Sequence, residues 1–247
     1  MKETTFPTHK TFSGIRVYFT PVDRPLSQAV FDHLLQLLPP DNQERNRRFR
    51  RWQDRHTHLY TRMQLIEGVR AFGGSNDPLS EIQYDDHGRP FIPGKVNFSI
   101  SHSDGYAICA VGNAMRVGVD TELWGKIDVD EYRDTMDQDQ WRDIISASDP
   151  TFLFLAYWTK KEAVIKADGR GLSFPLNKIR FEDGMGLMED SKWFMHEVNI
   201  SPRCHTWLAC DKENVEIELI EYFPDKQRPG AGGEMPDNCS HCGDPHK

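Results

Sequence analysis

The chain has 247 residues, of which 38% are hydrophobic and 28% are charged. This length suits one large domain or two domains of ordinary size. The formal net charge of −8 argues against a protein that binds nucleic acid through a general basic surface. The longest apolar runs, such as residues 152–158, are far too short to span a bilayer, so we expect no membrane partner.

The first residues of the chain and its cysteine content indicate the cellular compartment of the protein. The first ten residues, MKETTFPTHK, lack the apolar stretch of a signal peptide. The five cysteines are an odd number in a long chain, which argues against a disulfide framework. We therefore expect a protein of the reducing cytoplasm.

A basic segment lies at residues 45–55. It contains six arginines against a single acid, Asp54. Two interpretations are open: the arginines form a solvated helix face, or they bind a phosphorylated ligand.

Two stretches about one hundred residues apart share a pattern. Residues 78–86 and 175–183 both read Pro-Leu, two polar residues, Ile, a polar residue, an aromatic residue and two acids. Helix-like segments at residues 54–72 and 150–168 precede them. We expect an α+β fold of two similar α/β halves related by pseudo-twofold symmetry, with the active site in the cleft between them. Chance similarity is the alternative, because the identities are few.

The expected boundaries follow from this repeat. Residues 1–114 form the N-terminal half and residues 115–224 form the C-terminal half. Residues 225–247 are rich in Pro and Gly and lack apolar periodicity, so we expect a disordered tail. Two cysteines and two histidines in this tail are donors for zinc, but no second CxxC pair accompanies them.

A strand carries the first chemical signal. The sequence VGVDTE at residues 117–122 begins as a strand, and alternation directs Asp120 and Glu122 to the same face. Two like charges on one face repel each other unless a cation lies between them.

A helix carries the second signal. Asp149 is suited to cap it, Pro150 to be its first residue and Gly169 to end it. Within it Glu162 and Lys166 are four residues apart on one face. A surface ion pair, which contributes little, is the alternative interpretation of these two residues.

Together the strand and the helix predict a metal site. Asp120, Glu122 and Glu162 supply three hard oxygen ligands with no His or Cys nearby, which favours Mg²⁺. Magnesium commonly binds substrate phosphates, so we expect a bound diphosphate. A third element, the polar turn at residues 101–105, offers Ser101 and His102 as phosphate donors; a structural histidine is the alternative.

These motifs resemble one family. SISHSDG, GVDTE and WTKKEAVIKADGRGL are similar, in order and spacing, to the Sfp-type 4′-phosphopantetheinyl transferases, the large monomeric branch. Weaker likeness spans residues 12–222. The family has a pseudo-twofold fold of two halves, in agreement with the repeat.

The resemblance implies a reaction. Such enzymes move the 4′-phosphopantetheine arm of coenzyme A onto a serine of an acyl or peptidyl carrier protein and release adenosine 3′,5′-bisphosphate. It implies a Mg²⁺-dependent monomer that serves fatty acid, polyketide or nonribosomal peptide biosynthesis, most often in secondary metabolism.

The resemblance also implies residue roles. The metal ligands are Asp120, Glu122 and Glu162; Glu162 is the candidate base and Lys166 assists the leaving phosphate. The expected coenzyme A contacts are Arg45, Arg89, Ser101, His102, Lys161 and Lys166. Arg45 and Arg89 stand where the family often has lysines near the 3′-phosphate, and a guanidinium binds phosphate in a forked geometry. At a further such position, where the family often has a lysine, this chain has Asn42, which supplies no charge.

Two alternatives remain open. A metal-dependent diphosphate hydrolase would use the same carboxylates with water as nucleophile. A non-catalytic scaffold for carrier proteins would need neither Glu162 nor Lys166.

Overall fold

The structure, a computed structural model, describes residues 12–94, 96–103 and 105–224. The helices of this part are α1 (Gln28–Gln36), α2 (Pro40–Arg48), α3 (Trp52–Ala71), α4 (Gln138–Ser146) and α5 (Pro150–Asp168). The strands are β1 (Gly14–Pro21), β2 (Gln83–Tyr84), β3 (Pro90–Phe91), β4 (Val96–Ser103), β5 (Tyr106–Asn113), β6 (Val117–Leu123), β7 (Arg180–Glu182), β8 (Met185–Met188), β9 (Ser191–Glu197), β10 (Cys204–Cys210) and β11 (Glu216–Glu221). Within the described residues no helix is long and apolar enough to cross a membrane.

The strands form two main sheets and a small hairpin. The first sheet has the order β11-β1-β5-β4, and the second has the order β6-β10-β9-β8-β7. The last strand, β11, pairs in parallel with β1, near the other end of the chain. The hairpin β2-β3 stands apart from both sheets.

The two sheets share an apolar core. Ile15, Val17 and Ile108 of the first sheet pack with Val119 and Leu208 of the second. The opposite face of the first sheet is covered by α1 and α3, and the opposite face of the second by α5. Each sheet is therefore buried on both faces, which explains the near-continuous apolar sequence of β5.

The sheets also meet along the edges of β4 and β6. The hydroxyl of Ser99 accepts a hydrogen bond from the backbone N–H of Val119 at 3.0 Å, and the hydroxyl of Ser103 accepts one from Leu123 at 2.9 Å. Ser99 and Ser103 are four residues apart on β4. Because successive side chains of a strand point to opposite faces, these two lie on the same side. They bring β4 and β6 together without a shared backbone ladder.

Helix α5 packs directly on β6 at Gly118. A Cβ at Gly118 would overlap the carbonyl oxygen of Ala163 and the backbone nitrogen of Ala167. Glycine thus permits a close approach of helix and strand at this position. Because side chains alternate along β6, Asp120 and Glu122 face the same helix.

The sequence predicted the class of fold and its principal helix. The α+β class is confirmed by the mixture of helices and sheets. Helix α5 has the expected bounds: Asp149 accepts a hydrogen bond from the N–H of Phe152, Pro150 is the first residue, and Gly169 ends the helix at φ 97°. The pseudo-twofold symmetry and the division at residue 114 stay predictions. The expected tail at residues 225–247 lies outside the described residues.

Candidate active site

Lys166 and Asp120 join α5 to β6. The ammonium of Lys166 lies 2.6 Å from Oδ1 of Asp120, which is only 4% exposed. The hydroxyl of Ser101 donates to the same oxygen at 2.8 Å and accepts from Lys166 at 3.1 Å. Lys166 therefore pairs with Asp120, and not with Glu162 as a simple helical ion pair would require.

The remaining carboxylate oxygens carry unbalanced negative charge. Oδ2 of Asp120 is buried and has no hydrogen-bond partner within the described part of the chain. Burial and the nearby charge of Asp120 raise the pKa of Glu122 to about 7, although the Trp158 side chain donates a hydrogen bond to it. Burial and Asp120 also raise the pKa of Glu162. Three carboxylates therefore lie close enough to repel one another.

These carboxylates are not arranged as a finished metal site. Among the described residues no three His, Cys, Asp or Glu side chains converge closely enough to hold a metal ion. The cation nearest to Asp120 in this structure is Lys166 itself. The unpartnered Oδ2 and the raised pKa values nevertheless fit a hard cation, since a positive charge there would relieve both conditions.

A pocket of about 520 Å³ opens beside this cluster. Glu162 and Lys166 form one wall, and His102 of β4 contributes to another. The basic residues on its lining are Arg45, Arg62, Arg89 and Lys166, against the single acid Glu162. This excess of positive charge favours an anionic ligand with several phosphates.

Arg89 is positioned by the hairpin β2-β3. The carboxylate of Asp85 accepts hydrogen bonds from the backbone N–H groups of His87 at 3.0 Å and Arg89 at 2.9 Å, which fixes the turn. The Arg89 side chain then packs over Gly169 at the end of α5. Its Nη2 is buried and lacks a partner among the described residues, so one end of the guanidinium is left unsatisfied.

Arg62 is a pocket residue that the sequence did not reveal. It lies on α3 and faces Arg45 across the pocket. Burial, together with the nearby charge of Arg45, lowers the pKa of Arg62. Its helical position was readable, but the segment holds many basic residues and no pattern singles out the one that faces a cleft. Of the six arginines in the basic segment, Arg45 lines this pocket, and its phosphate contact stays a prediction.

Ser101 has a different place from the one expected. It is 4% exposed, does not line the pocket, and holds Asp120 and Lys166 together. Its hydroxyl is thus engaged with the acidic cluster, and its contact with phosphate stays a prediction. His102, the next residue, faces the pocket as expected because neighbouring side chains of a strand point to opposite faces.

Lys161 requires a correction. The resemblance implied a phosphate contact, but Lys161 is fully buried and lies away from the pocket. Its ammonium donates to the backbone carbonyls of Leu176 at 2.8 Å and Ile179 at 3.2 Å. Burial lowers the pKa of Lys161 to about 7. A helix turns by about 100° per residue, so Lys161 and Glu162 face different surroundings.

Comparison with known proteins identifies the family. Residues 116–204 match the 4′-phosphopantetheinyl transferase superfamily. The chain is 30% identical over 171 residues to 4′-phosphopantetheinyl transferase Sfp of Bacillus subtilis, across 67% of this chain and 75% of that protein. The chain belongs to the 4′-phosphopantetheinyl transferase family. It is therefore a transferase enzyme.

Two further relatives show how widely this family likeness extends. The 4′-phosphopantetheinyl transferase Gsp of Aneurinibacillus migulanus is 28% identical over 173 residues, 67% of this chain and 70% of that protein. The L-aminoadipate-semialdehyde dehydrogenase-phosphopantetheinyl transferase of Xenopus laevis is 34% identical over 157 residues, 54% of this chain and 52% of that protein. The superfamily match covers β6 and α5, the two elements that carry the acidic cluster.

Proposed function

We propose that this 4′-phosphopantetheinyl transferase transfers the phosphopantetheine arm of coenzyme A to a serine of an acyl or peptidyl carrier protein and releases adenosine 3′,5′-bisphosphate. One observation carries the proposal. Glu162 and Lys166 of α5 stand against Asp120 and Glu122 of β6, at the wall of a pocket lined by three arginines.

The basic lining is the proposed binding surface for the phosphates of coenzyme A. Arg45 and Arg62 are mutually repelling guanidiniums, and Arg89 has a buried, unpartnered nitrogen. A polyphosphate ligand would relieve both conditions through charge-assisted hydrogen bonds. His102 adds a neutral or cationic donor on the β4 side of the pocket. Apolar Leu65, Ile82 and Phe98 line the same pocket and suit a nucleobase or an alkyl chain.

Asp120, Glu122 and Glu162 are the proposed ligands of Mg²⁺. Their fit rests on the unpartnered Oδ2 of Asp120 and on the raised pKa values of both glutamates. When bound, the ion would supply positive charge to a diphosphate and neutralise charge on its oxygens. Oδ1 of Asp120 is already paired with Lys166, so Oδ2 is the oxygen of this carboxylate left for a further cation.

The protein's own residues handle the protons. Glu162 is the proposed base that takes the proton from the carrier serine Oγ, directly or through water. Burial and the charge of Asp120 raise its pKa, which makes it a stronger base than an exposed glutamate. The serine oxygen attacks phosphorus, and the bond to the bridging oxygen of the diphosphate breaks. Lys166 Nζ stabilises or protonates that oxygen as it leaves.

The organisation and setting of the enzyme are part of the proposal. Residues 1–114 and 115–224 are proposed to be similar halves related by pseudo-twofold symmetry, since α3 precedes the hairpin β4-β5 and α5 precedes the hairpin β9-β10. We also propose a monomer of the reducing cytoplasm that serves fatty acid, polyketide or nonribosomal peptide biosynthesis in secondary metabolism. The cysteines in the described residues, Cys109, Cys204 and Cys210, are free, in keeping with that compartment.

Mass spectrometry of an apo carrier protein tests the reaction. After incubation with this enzyme, coenzyme A and Mg²⁺, the carrier is expected to gain the mass of the phosphopantetheine arm, and adenosine 3′,5′-bisphosphate should appear in equal amount. A carrier with Ser→Ala at the acceptor position is the matched control. Coenzyme A cleavage at an equal rate without carrier would instead support a hydrolase. Binding of the carrier without a mass gain would support a scaffold.

A further inference from the structure

The fully buried Lys161 stands out among the groups that the proposed reaction does not use. It is 0% exposed, and the partners of its ammonium are two backbone carbonyls, those of Leu176 and Ile179. Leu176 begins and Ile179 follows the short 3-10 turn Leu176–Lys178, which precedes β7. Burying an amine is unfavourable unless its N–H groups are satisfied, so this position needs a physical reason.

Lys161 belongs to a node that joins three elements. The side chain of Gln140, on α4, donates to the same Ile179 carbonyl at 3.0 Å. Lys161 supplies the bond from α5, and Ile179 supplies the acceptor from the turn. An ammonium has three N–H donors and a neutral amine has two, so both carbonyls are satisfied in either protonation state. The node therefore holds α5 whether or not Lys161 is charged.

The position of Lys161 around the helix axis matters for the active site. Successive helical residues are about 100° apart, so Ala163 lies about 200° from Lys161, on nearly the opposite side of α5. At Ala163 the helix backbone is held against Gly118 of β6. Glu162 lies between these two anchors, about 100° from each. Fixing both sides of α5 fixes the direction in which Glu162 points.

A small rotation of α5 about its axis is enough to displace its side chains by a catalytically important distance. At a side-chain radius of about 5–6 Å, a rotation of α5 by about 20° moves a carboxylate by about 2 Å. A displacement of about 1 Å at a reacting group is sufficient to lower a rate by about 100-fold. The packing at Gly118 sets the depth of α5 on the sheet, but rotation about the helix axis needs a second contact on the other side.

We infer that Lys161 is a positioning residue: it sets the rotation of α5 through the Leu176 and Ile179 carbonyls and thereby aims Glu162 and Lys166 at the reacting groups. This inference rests on the proposed function and reassigns the residue from a phosphate contact to a support of catalysis. Lys161 touches no substrate, so its loss acts on the chemical step and not on the binding of coenzyme A.

The test compares Lys161→Met with Gln140→Met in the full chain. Both remove a buried hydrogen bond to the Ile179 carbonyl, and Gln140→Met also removes a capping contact to Asp137, so both lower the melting temperature. Lys161→Met is expected to lower kcat for transfer about 10- to 100-fold, with KM for coenzyme A within about twofold of wild type. Gln140→Met, on another helix, is expected to leave kcat within about twofold.

The outcomes are distinct. A normal kcat in folded Lys161→Met, or an equal loss of kcat in Gln140→Met, overturns the positioning role. A raised KM with unchanged kcat would show a substrate contact instead. If Lys161→Met does not fold, Lys161→Gln replaces it, because its amide keeps two donors, and kcat should then fall by a smaller factor. Wild-type enzyme without transfer activity would refute the proposed function; faster hydrogen exchange across α5 in the Lys161 variant alone would still support the positioning.

Discussion

Glu122 shows how burial and a neighbouring charge act on a single residue. Burial and the charge of Asp120 raise its folded-state pKa to about 7 from an ordinary value of 4.5. Between these two pH values the folded state binds more protons than the unfolded state, so stability falls as pH rises through this window. The repulsion between Glu122 and Asp120 is fully present above pH 7, where the proposed Mg²⁺ would stabilise the folded protein most.

Glu122→Gln is therefore expected to stabilise the metal-free protein. Because the amide carries no charge, the free energy of unfolding at pH 8 should rise by roughly 1–3 kcal/mol, while at pH 4 it should change little. Urea denaturation in the presence of a chelator measures this difference. The exposed Glu131→Gln is the control and should show no such pH dependence. Equal stability of Glu122→Gln and wild type at pH 8 would contradict the raised pKa.

Glu162→Gln tests the proposed base. The amide keeps the size of the side chain but accepts no proton, so kcat for carrier modification should fall about 10²–10⁴-fold. The circular dichroism spectrum should stay close to that of wild type, and the melting temperature should not fall, because the pKa of Glu162 is raised in the folded state. Asp120→Ala should also abolish Mg²⁺-dependent transfer. Near-normal activity in either folded variant would refute the roles proposed for Glu162 and Asp120.

Arg62 and Arg89 test the phosphate-binding surface. A hydrogen bond to a charged group contributes about 1.5–3 kcal/mol, so Arg62→Met should raise KM for coenzyme A about tenfold or more. Arg89→Glu should have a larger effect. For dephospho-coenzyme A, which lacks the 3′-phosphate, the increase caused by Arg89→Glu should be smaller. Exposed Arg47 of α2 lies outside the pocket, and Arg47→Met is the matched control. Equal increases for both substrates in Arg89→Glu would contradict the assignment of Arg89 to the 3′-phosphate.

At the scale of elements, the contact of α5 with β6 assembles the acidic cluster. Gly118→Ala should destabilise the protein by about 2 kcal/mol or more, because a new Cβ would overlap the backbone of α5 at Ala163. Activity should fall as well, since the helix carries Glu162. Gly125→Ala is the control: its Cβ would meet nothing nearer than 4.0 Å, so stability should hardly change. Chemical denaturation of the two variants compares them directly.

The sequence predicted elements better than the contacts between them. Caps at Asp149 and Gly169 define α5, and alternation in β6 directs Asp120 and Glu122 together, because both signals are local in the chain. The burial of Lys161 was not predictable, since it depends on carbonyls of a turn that follows α5. Arg62 was missed because no local pattern distinguishes it from the other basic residues of its helix. The bonds from Ser99 and Ser103 to β6 also join residues about 20 positions apart, which no local pattern records.

At the scale of the whole molecule, the two sheets depend on each other. They share the core that contains Ile15 and Leu208, and β11 from the end of the described chain completes the sheet that begins with β1. We expect a single cooperative unfolding transition, with equal calorimetric and van't Hoff enthalpies in scanning calorimetry. Near-ultraviolet and far-ultraviolet circular dichroism should give the same midpoint. Two separate transitions would instead mean that residues 1–114 and 115–224 are independent domains.

The parallel pairing of β1 with β11 has a consequence for biosynthesis. Gly14 of β1 pairs with Glu216 of β11, about two hundred residues later in the chain. During translation the first sheet stays one strand short until β11 has emerged from the ribosome, so an early fragment exposes an unpaired edge to chaperones and proteases. A prematurely terminated chain is therefore expected to be degraded and not to accumulate as a half-enzyme that sequesters coenzyme A.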